Sequence, residues 1–148
     1  MWEGYKNYDH YYTIDKAEDF FKEVNISQLS TVGNRTKYYN IPASFDIETS
    51  SMKFGDSKFA EMYIWQFGIN GSVIIGRTWF EFTQFLKALT KEMHLDLNNR
   101  LIVYVHNLSY EFQFIRRRIP WVKQTDGQDV VFSLKPRKPI YALSKYGI

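Results

Sequence analysis

The sequence predicts an α/β fold, a mixed sheet flanked by helices, on three observations. Apolar stretches at 43–47, 62–69 and 73–76 have strand length, and Asn70-Gly71 between the last two is the strongest short hairpin signal a sequence offers. Trp79 to Leu95 carries apolar residues at 79, 82, 85, 86, 89 and 93, the spacing of one helix face. Leu101-Ile102-Val103-Tyr104-Val105 is an unbroken apolar run that leads through a polar turn into a second helical segment. Antiparallel strands, a helical crossover and a further parallel strand make a mixed sheet.

Taken in order, residues 1–12 are aromatic and polar without a period. A short helix is predicted from Thr13 to Val24. Thr13 suits the N-cap, acidic residues fill the first turn, and Phe20, Phe21 and Val24 can share a face. Residues 25–40 are polar, with a turn at Gly33-Asn34. Ala43 to Ile47 reads as a buried strand ending in carboxylates, Met62 to Ile69 as a second strand and Val73 to Gly76 as a third. The run at 101–105 is expected to be covered on both faces. The second helix runs from Tyr110 to about Arg117 and stops ahead of Pro120. From Trp121 the pattern alternates, Asp126-Gly127 marks a hairpin, and Tyr141-Ala142-Leu143 begins another strand. The resulting order, β-β-β-α-β-α-β-β, fits a ribonuclease-H-like fold. Two parts are expected, an extension with a short helix over 1–40 and the sheet domain over 41–148. The end at Ile148 has neither a helix stop nor tail composition and reads as an imposed boundary.

With 148 residues the chain fits one domain, able to bury roughly 68–70% of its unfolded surface. A net charge of +3 is too small to mark a nucleic-acid binder by itself. The dense basic runs, Arg116-Arg117-Arg118 and Lys135-Pro136-Arg137-Lys138, suit phosphates and suit solvated surface equally. Aromatic residues reach 18%, tyrosine foremost, which fits base stacking and core-boundary packing alike. The absence of cysteine excludes disulfides and cysteine–zinc sites. No apolar run approaches the ~20 residues of a membrane span, and the N-terminus lacks a signal-peptide core, so a cytoplasmic location away from the membrane is expected. His10 and His94 have no partner at metal-ligand spacing and read as surface or packing residues; Trp65, Trp79 and the phenylalanines read as core.

Two constellations carry chemistry. In Phe45-Asp46-Ile47-Glu48-Thr49, strand alternation puts Asp46 and Glu48 on one face and Phe45 and Ile47 on the other. Adjacent carboxylates repel, and a hard divalent cation relieves the repulsion. An ordinary strand with a solvated acidic face has the same pattern. In Val105-His106-Asn107-Leu108-Ser109-Tyr110-Glu111-Phe112, a strand ends in a polar turn and Glu111 falls in the first turn of a helix. That helix, beside the first strand, can bring Glu111 to Asp46 and Glu48. Capping by Asn107 or Ser109, with Glu111 favouring the helix dipole, accounts for the same residues.

Together, Phe-Asp-Ile-Glu-Thr and, about sixty residues on, His-Asn-Leu-Ser-Tyr-Glu after an apolar strand resemble the first two exonuclease motifs of family B DNA polymerases. The form Val105 to Phe114 is similar to the protein-primed branch found in bacteriophages and mobile elements. The resemblance covers residues 41–118 and implies a DnaQ-type, ribonuclease-H-like 3′→5′ proofreading exonuclease. It implies Asp46, Glu48 and Glu111 as catalytic metal ligands for two Mg²⁺ or Mn²⁺ ions. It implies Thr49, His106, Asn107 and Tyr110 as contacts to the single-stranded primer end, and as partners primer-template DNA and a terminal protein primer. Two departures stand out: many family members have Asp at the place of Glu111, and the family's Tyr-x-x-x-Asp motif, which its assisting lysine accompanies, is not found after Glu111. The palm carboxylates of the polymerase are not found either. A stand-alone nuclease of the same fold and a non-catalytic nucleic-acid or protein-binding module are the competing readings.

Overall fold

A computed structural model describes residues 10–123, 131–135 and 138–148. Its main sheet has five strands in the order β1-β6-β5-β4-β8. These are β1 (Tyr12–Thr13), β4 (Ala43–Phe54), β5 (Ser57–Ile69), β6 (Ser72–Gly76) and β8 (Tyr104–Val105). β4, β5 and β6 are successive antiparallel neighbours, while β8 runs parallel to β4 and β1 parallel to β6. A small sheet joins β2 (Thr31–Val32), β3 (Lys37–Tyr39) and β7 (Asn99–Arg100), and β9 (Val131–Lys135) pairs with β10 (Lys138–Ala142). The helices are α1 (Ala17–Val24), α2 (Trp79–Glu92) and α3 (Leu108–Ile115). The predicted mixed sheet flanked by helices is therefore present, with α2 crossing from β6 to the parallel strand β8. Among the described residues no helix is long and apolar enough to cross a membrane.

The core is aromatic and sits on one face of the main sheet. Phe45 and Ile47 of β4 and Trp65, Phe67 and Ile69 of β5 are buried with Phe82, Phe85, Leu86 and Leu89 of α2. Phe45 stacks on Phe82 at 4.8 Å and Trp65 on Phe85 at 5.6 Å between ring centroids. α1 lies against β6 and adds Phe20, Phe21 and Val24 to the same core, as their helical spacing predicts. Gly76 ends β6 directly beneath Trp65, where a Cβ would come within 2.3 Å of the indole. The indole Nε1 donates to the Thr78 carbonyl at 3.0 Å, fixing the turn into α2.

Several boundaries differ from expectation for physical reasons. Thr13 precedes a single 3₁₀ turn rather than α1 itself, and its hydroxyl bonds the Asp15 carboxylate instead of a backbone N–H. The polar stretch 25–40 holds β2 and β3, too short to show a period, around the turn at Gly33. β4 and β5 extend well beyond 47 and ahead of 62, because their outer halves pair with each other and, among the described residues, lie outside the core. The run at 101–105 is not covered on both faces: Leu101 is buried, but Ile102 and Tyr104 are exposed, since β8 lies at the edge of the described sheet. α3 starts and ends two residues earlier than predicted, and Tyr141-Ala142 closes β10 instead of opening a strand. The Asp126-Gly127 hairpin signal falls outside the described residues.

Candidate functional site

The carboxylate face of β4 follows from alternation. Asp46 and Glu48 are exposed while Phe45 and Ile47 are buried on the reverse face, as period 2 requires. Beside them, β8 pairs Ser44 and Phe45 with Tyr104 and Val105, so the turn that follows β8 opens next to Asp46. His106 and Asn107 form this turn, both exposed. Asn107 occupies the N-cap of α3 through its backbone, its carbonyl accepting from Tyr110 N at 2.8 Å and Glu111 N at 3.1 Å. Its side chain makes no capping bond, nor does Ser109 hold that position.

Glu111 is then carried inward, only 4% exposed, and its Oε2 is buried without a hydrogen-bond partner. Burial, and after it the neighbouring Asp46 carboxylate, push the Glu111 carboxyl above the ordinary glutamate range. The Glu111 backbone N–H and His106 act in the opposite direction. A buried polar atom left unpaired is costly, and strain, a catalytic role or a bound water or ion are its physical explanations. Asp46 and Glu111 thus face one another as hard oxygen donors. Glu48 shares the face of Asp46, yet among the described residues no three acidic or histidine groups come together at metal-binding distances.

The second link between the two segments is direct. Thr49 Oγ1 and the Tyr110 hydroxyl are hydrogen-bonded at 2.6 Å, across sixty-one residues of sequence. Tyr110 remains 38% exposed, so its ring has a free surface beside the carboxylates. Its other edge meets Phe114 at 5.2 Å, Phe114 stacks on Trp79 at 6.4 Å, and Arg118 lies over the Trp79 ring at 4.9 Å. Arg118 Nε also donates to the Phe114 carbonyl at 3.1 Å, which fixes this arginine of the basic run at the end of α3. His10 and His94 are exposed, and His10 lies against Tyr12 and Glu23.

One neighbour escapes a reading of the sequence. The β4–β5 register shifts between Glu48 and Thr49: Glu48 pairs with Ile64 and Thr49 with Met62, leaving Tyr63 as an extra residue. Such a bulge turns both of its residues toward the face of the single residue opposite. Tyr63 is accordingly 46% exposed while Met62 and Trp65, three apart, are both buried. The broken alternation between Met62 and Trp65 is the only trace of the bulge in the sequence.

Comparison with protein-family models, curated proteins and solved structures finds no match.

Proposed function

We propose that the chain is the 3′→5′ proofreading exonuclease portion of a protein-primed family B DNA polymerase, on a ribonuclease-H-like sheet. The observation that carries this reading is the meeting of two short motifs from distant parts of the chain, Glu111 beside Asp46 and Tyr110 bonded to Thr49. The strand order supports the fold: three antiparallel strands, then a helix crossing to a strand that lies beside the first and parallel to it. Asp46 and Glu111, with Glu48 on the same face, are the residues that would hold Mg²⁺ or Mn²⁺. When bound, such ions activate water and stabilise the leaving 3′ oxygen of a phosphodiester.

The protein's own groups do the rest of the work in this reading. The Thr49 hydroxyl holds the Tyr110 phenol so that its exposed ring can stack on a terminal base of any sequence. His106 and Asn107, exposed in the turn ahead of α3, offer hydrogen bonds to sugar and phosphate next to the reacting bond. Primer-template DNA and a priming terminal protein are the partners of the whole polymerase.

Reading the source gene beyond the codon for Ile148 tests the proposal first. A frame that continues into Tyr-x-x-x-Asp and polymerase carboxylates supports it, and a stop within a few codons rejects it. In the protein that includes that motif, Asp46→Ala should abolish Mg²⁺-dependent release of nucleotides from the 3′ end of labelled single-stranded DNA, with the circular dichroism unchanged. Digestion at the parent rate would remove Asp46 from the reaction.

A further inference from the structure

α3 carries Tyr110 and Glu111 to the site, yet little in its own residues holds it there. It is eight residues long, and Asn107 caps it without a side-chain bond. β8, the strand ahead of it, pairs with β4 only at Ser44 and Phe45. A helix this short is marginal in isolation, so packing decides where it lies. Phe112 and Ile115 are buried in the common core and set how deep the helix sits. Its rotation and tilt need a second line of contact. No hydrogen bond fixes Glu111 Oε2, so the place of that oxygen follows from the place of the helix.

A second row of side chains supplies that line. Tyr110, Phe114 and Arg118 follow one another at intervals of four, the spacing that stacks side chains along a helix. The turn after α3 keeps this geometry, with Ile119 N donating to the Ile115 carbonyl at 3.2 Å. At one end of the row the Tyr110 hydroxyl meets Thr49 of β4. At the other, Phe114 stacks on Trp79 with 25° between the ring planes, and the Arg118 guanidinium covers the same indole. Trp79 is well anchored: it opens α2 directly after the capping box of Thr78 and Glu81, and its ring meets the buried Phe82 at 5.6 Å. The strongly capped helix thus holds the row that the weakly capped one presents.

We infer that Trp79 and Arg118 are positioning residues for the candidate site, fixing the rotation of α3 through Phe114 and Tyr110 and so holding Glu111 against Asp46. They act through the helix and need no contact with metal or substrate. The inference rests on the nuclease reading for the ion that Asp46 and Glu111 would take; the packing of the row is independent of it. Arg118 suits this task because a planar guanidinium stacks on an indole while its Nε–H still reaches the Phe114 carbonyl. A lysine there would keep the charge and lose both contacts.

Two measurements test it. NMR of the metal-free chain reads the placement of α3: Trp79→Ala should lose the Overhauser contact between the Tyr110 ring and the Thr49 methyl group. It should also speed amide exchange at Tyr110 and Glu111, whose N–H groups bond the Asn107 carbonyl. Titration with Mn²⁺ alone, followed by water-proton relaxation, reads the site. Trp79→Ala and Arg118→Ala should each weaken Mn²⁺ binding about tenfold, the low end of the cost of losing a residue that orients metal ligands. Trp79→Phe, which keeps a ring beneath Arg118, should restore most of the affinity, and Arg118→Lys should not. Arg118 is exposed, so Arg118→Ala decides the matter if Trp79→Ala does not fold. Leu89→Ala is the comparison: it opens a cavity in the core under α2 and lowers the urea midpoint, and it should leave Mn²⁺ affinity and the Tyr110–Thr49 contact at the parent's values. An unchanged Tyr110–Thr49 contact with parental Mn²⁺ affinity in Trp79→Ala and Arg118→Ala overturns the inference. Equal losses in Leu89→Ala also overturn it, since general stability then accounts for them. A parent that binds no Mn²⁺ rejects the metal reading of Asp46 and Glu111, and the NMR result then decides the positioning of α3 by itself.

Discussion

At the scale of the residue, Glu111 is the one carboxyl among the described residues that the fold buries. Its carboxyl is pushed upward first by burial and then by Asp46, so the folded protein keeps a proton that the unfolded chain has lost. Its stability contribution is therefore complete below the ordinary glutamate value of 4.5 and declines as pH rises through the higher folded value. In metal-free solution the Tm should fall across that window. Glu111→Gln should flatten this part of the pH profile and raise the Tm at neutral pH, because a neutral amide is cheaper to bury beside Asp46. A variant with the parent's slope would show that Glu111 does not titrate in this way. The positions of Asp46 and Glu48 on one exposed face could be read from alternation alone. The burial of Glu111 could not, because a glutamate in the first turn of a helix favours the dipole whether it faces water or a sheet.

Among the elements, α2 is the most strongly specified locally. Thr78 Oγ1 accepts from Glu81 N at 3.2 Å, and Glu81 Oε1 accepts from Thr78 N at 3.1 Å, a reciprocal capping box written in the sequence as Thr-x-x-Glu. Thr78→Ala should cost about 1 kcal/mol in urea unfolding, with the helix still formed because its Phe82, Phe85 and Leu89 face remains buried. A loss indistinguishable from zero would show that the box contributes nothing beyond solvent bonds. The Asn70-Gly71 hairpin was equally legible, and φ is positive at both residues, +50° and +83°. β8 was legible only as an apolar run. Whether such a run is covered on two faces depends on what lies beside it, and here it stands at a sheet edge. The outer halves of β4 and β5 were invisible to a search for apolar alternation, because among the described residues they face no core.

Across the whole molecule, the last residues close the structure onto the loop that precedes the site. Leu101 N donates to the Gly147 carbonyl at 3.0 Å, and the Ser144 hydroxyl accepts from the backbone N–H groups of Tyr146 and Ile148. Gly147 has φ +82°, and a Cβ there would come within 2.4 Å of the Asp96 carbonyl oxygen. Gly55, at φ +60°, has nothing within 4 Å of the same atom. Gly55→Ala should therefore cost roughly 1 kcal/mol, the left-handed penalty alone, and Gly147→Ala clearly more, both read from urea midpoints. Equal losses would mean that the tail yields without disturbing the loop. Local pattern was enough for the kinds and order of the central elements, the alternation that exposes Asp46 and Glu48, and the turn ahead of Glu111. Those features depend on periodicities and turn chemistry within a few residues of chain. The burial of Glu111 beside Asp46, the Tyr110–Thr49 bond, the bulge that sets Tyr63 beside Glu48 and the long pairing of β4 with β5 arise only in the folded chain. Each of these depends on which strands become neighbours and in what register, a long-range choice that no local pattern encodes.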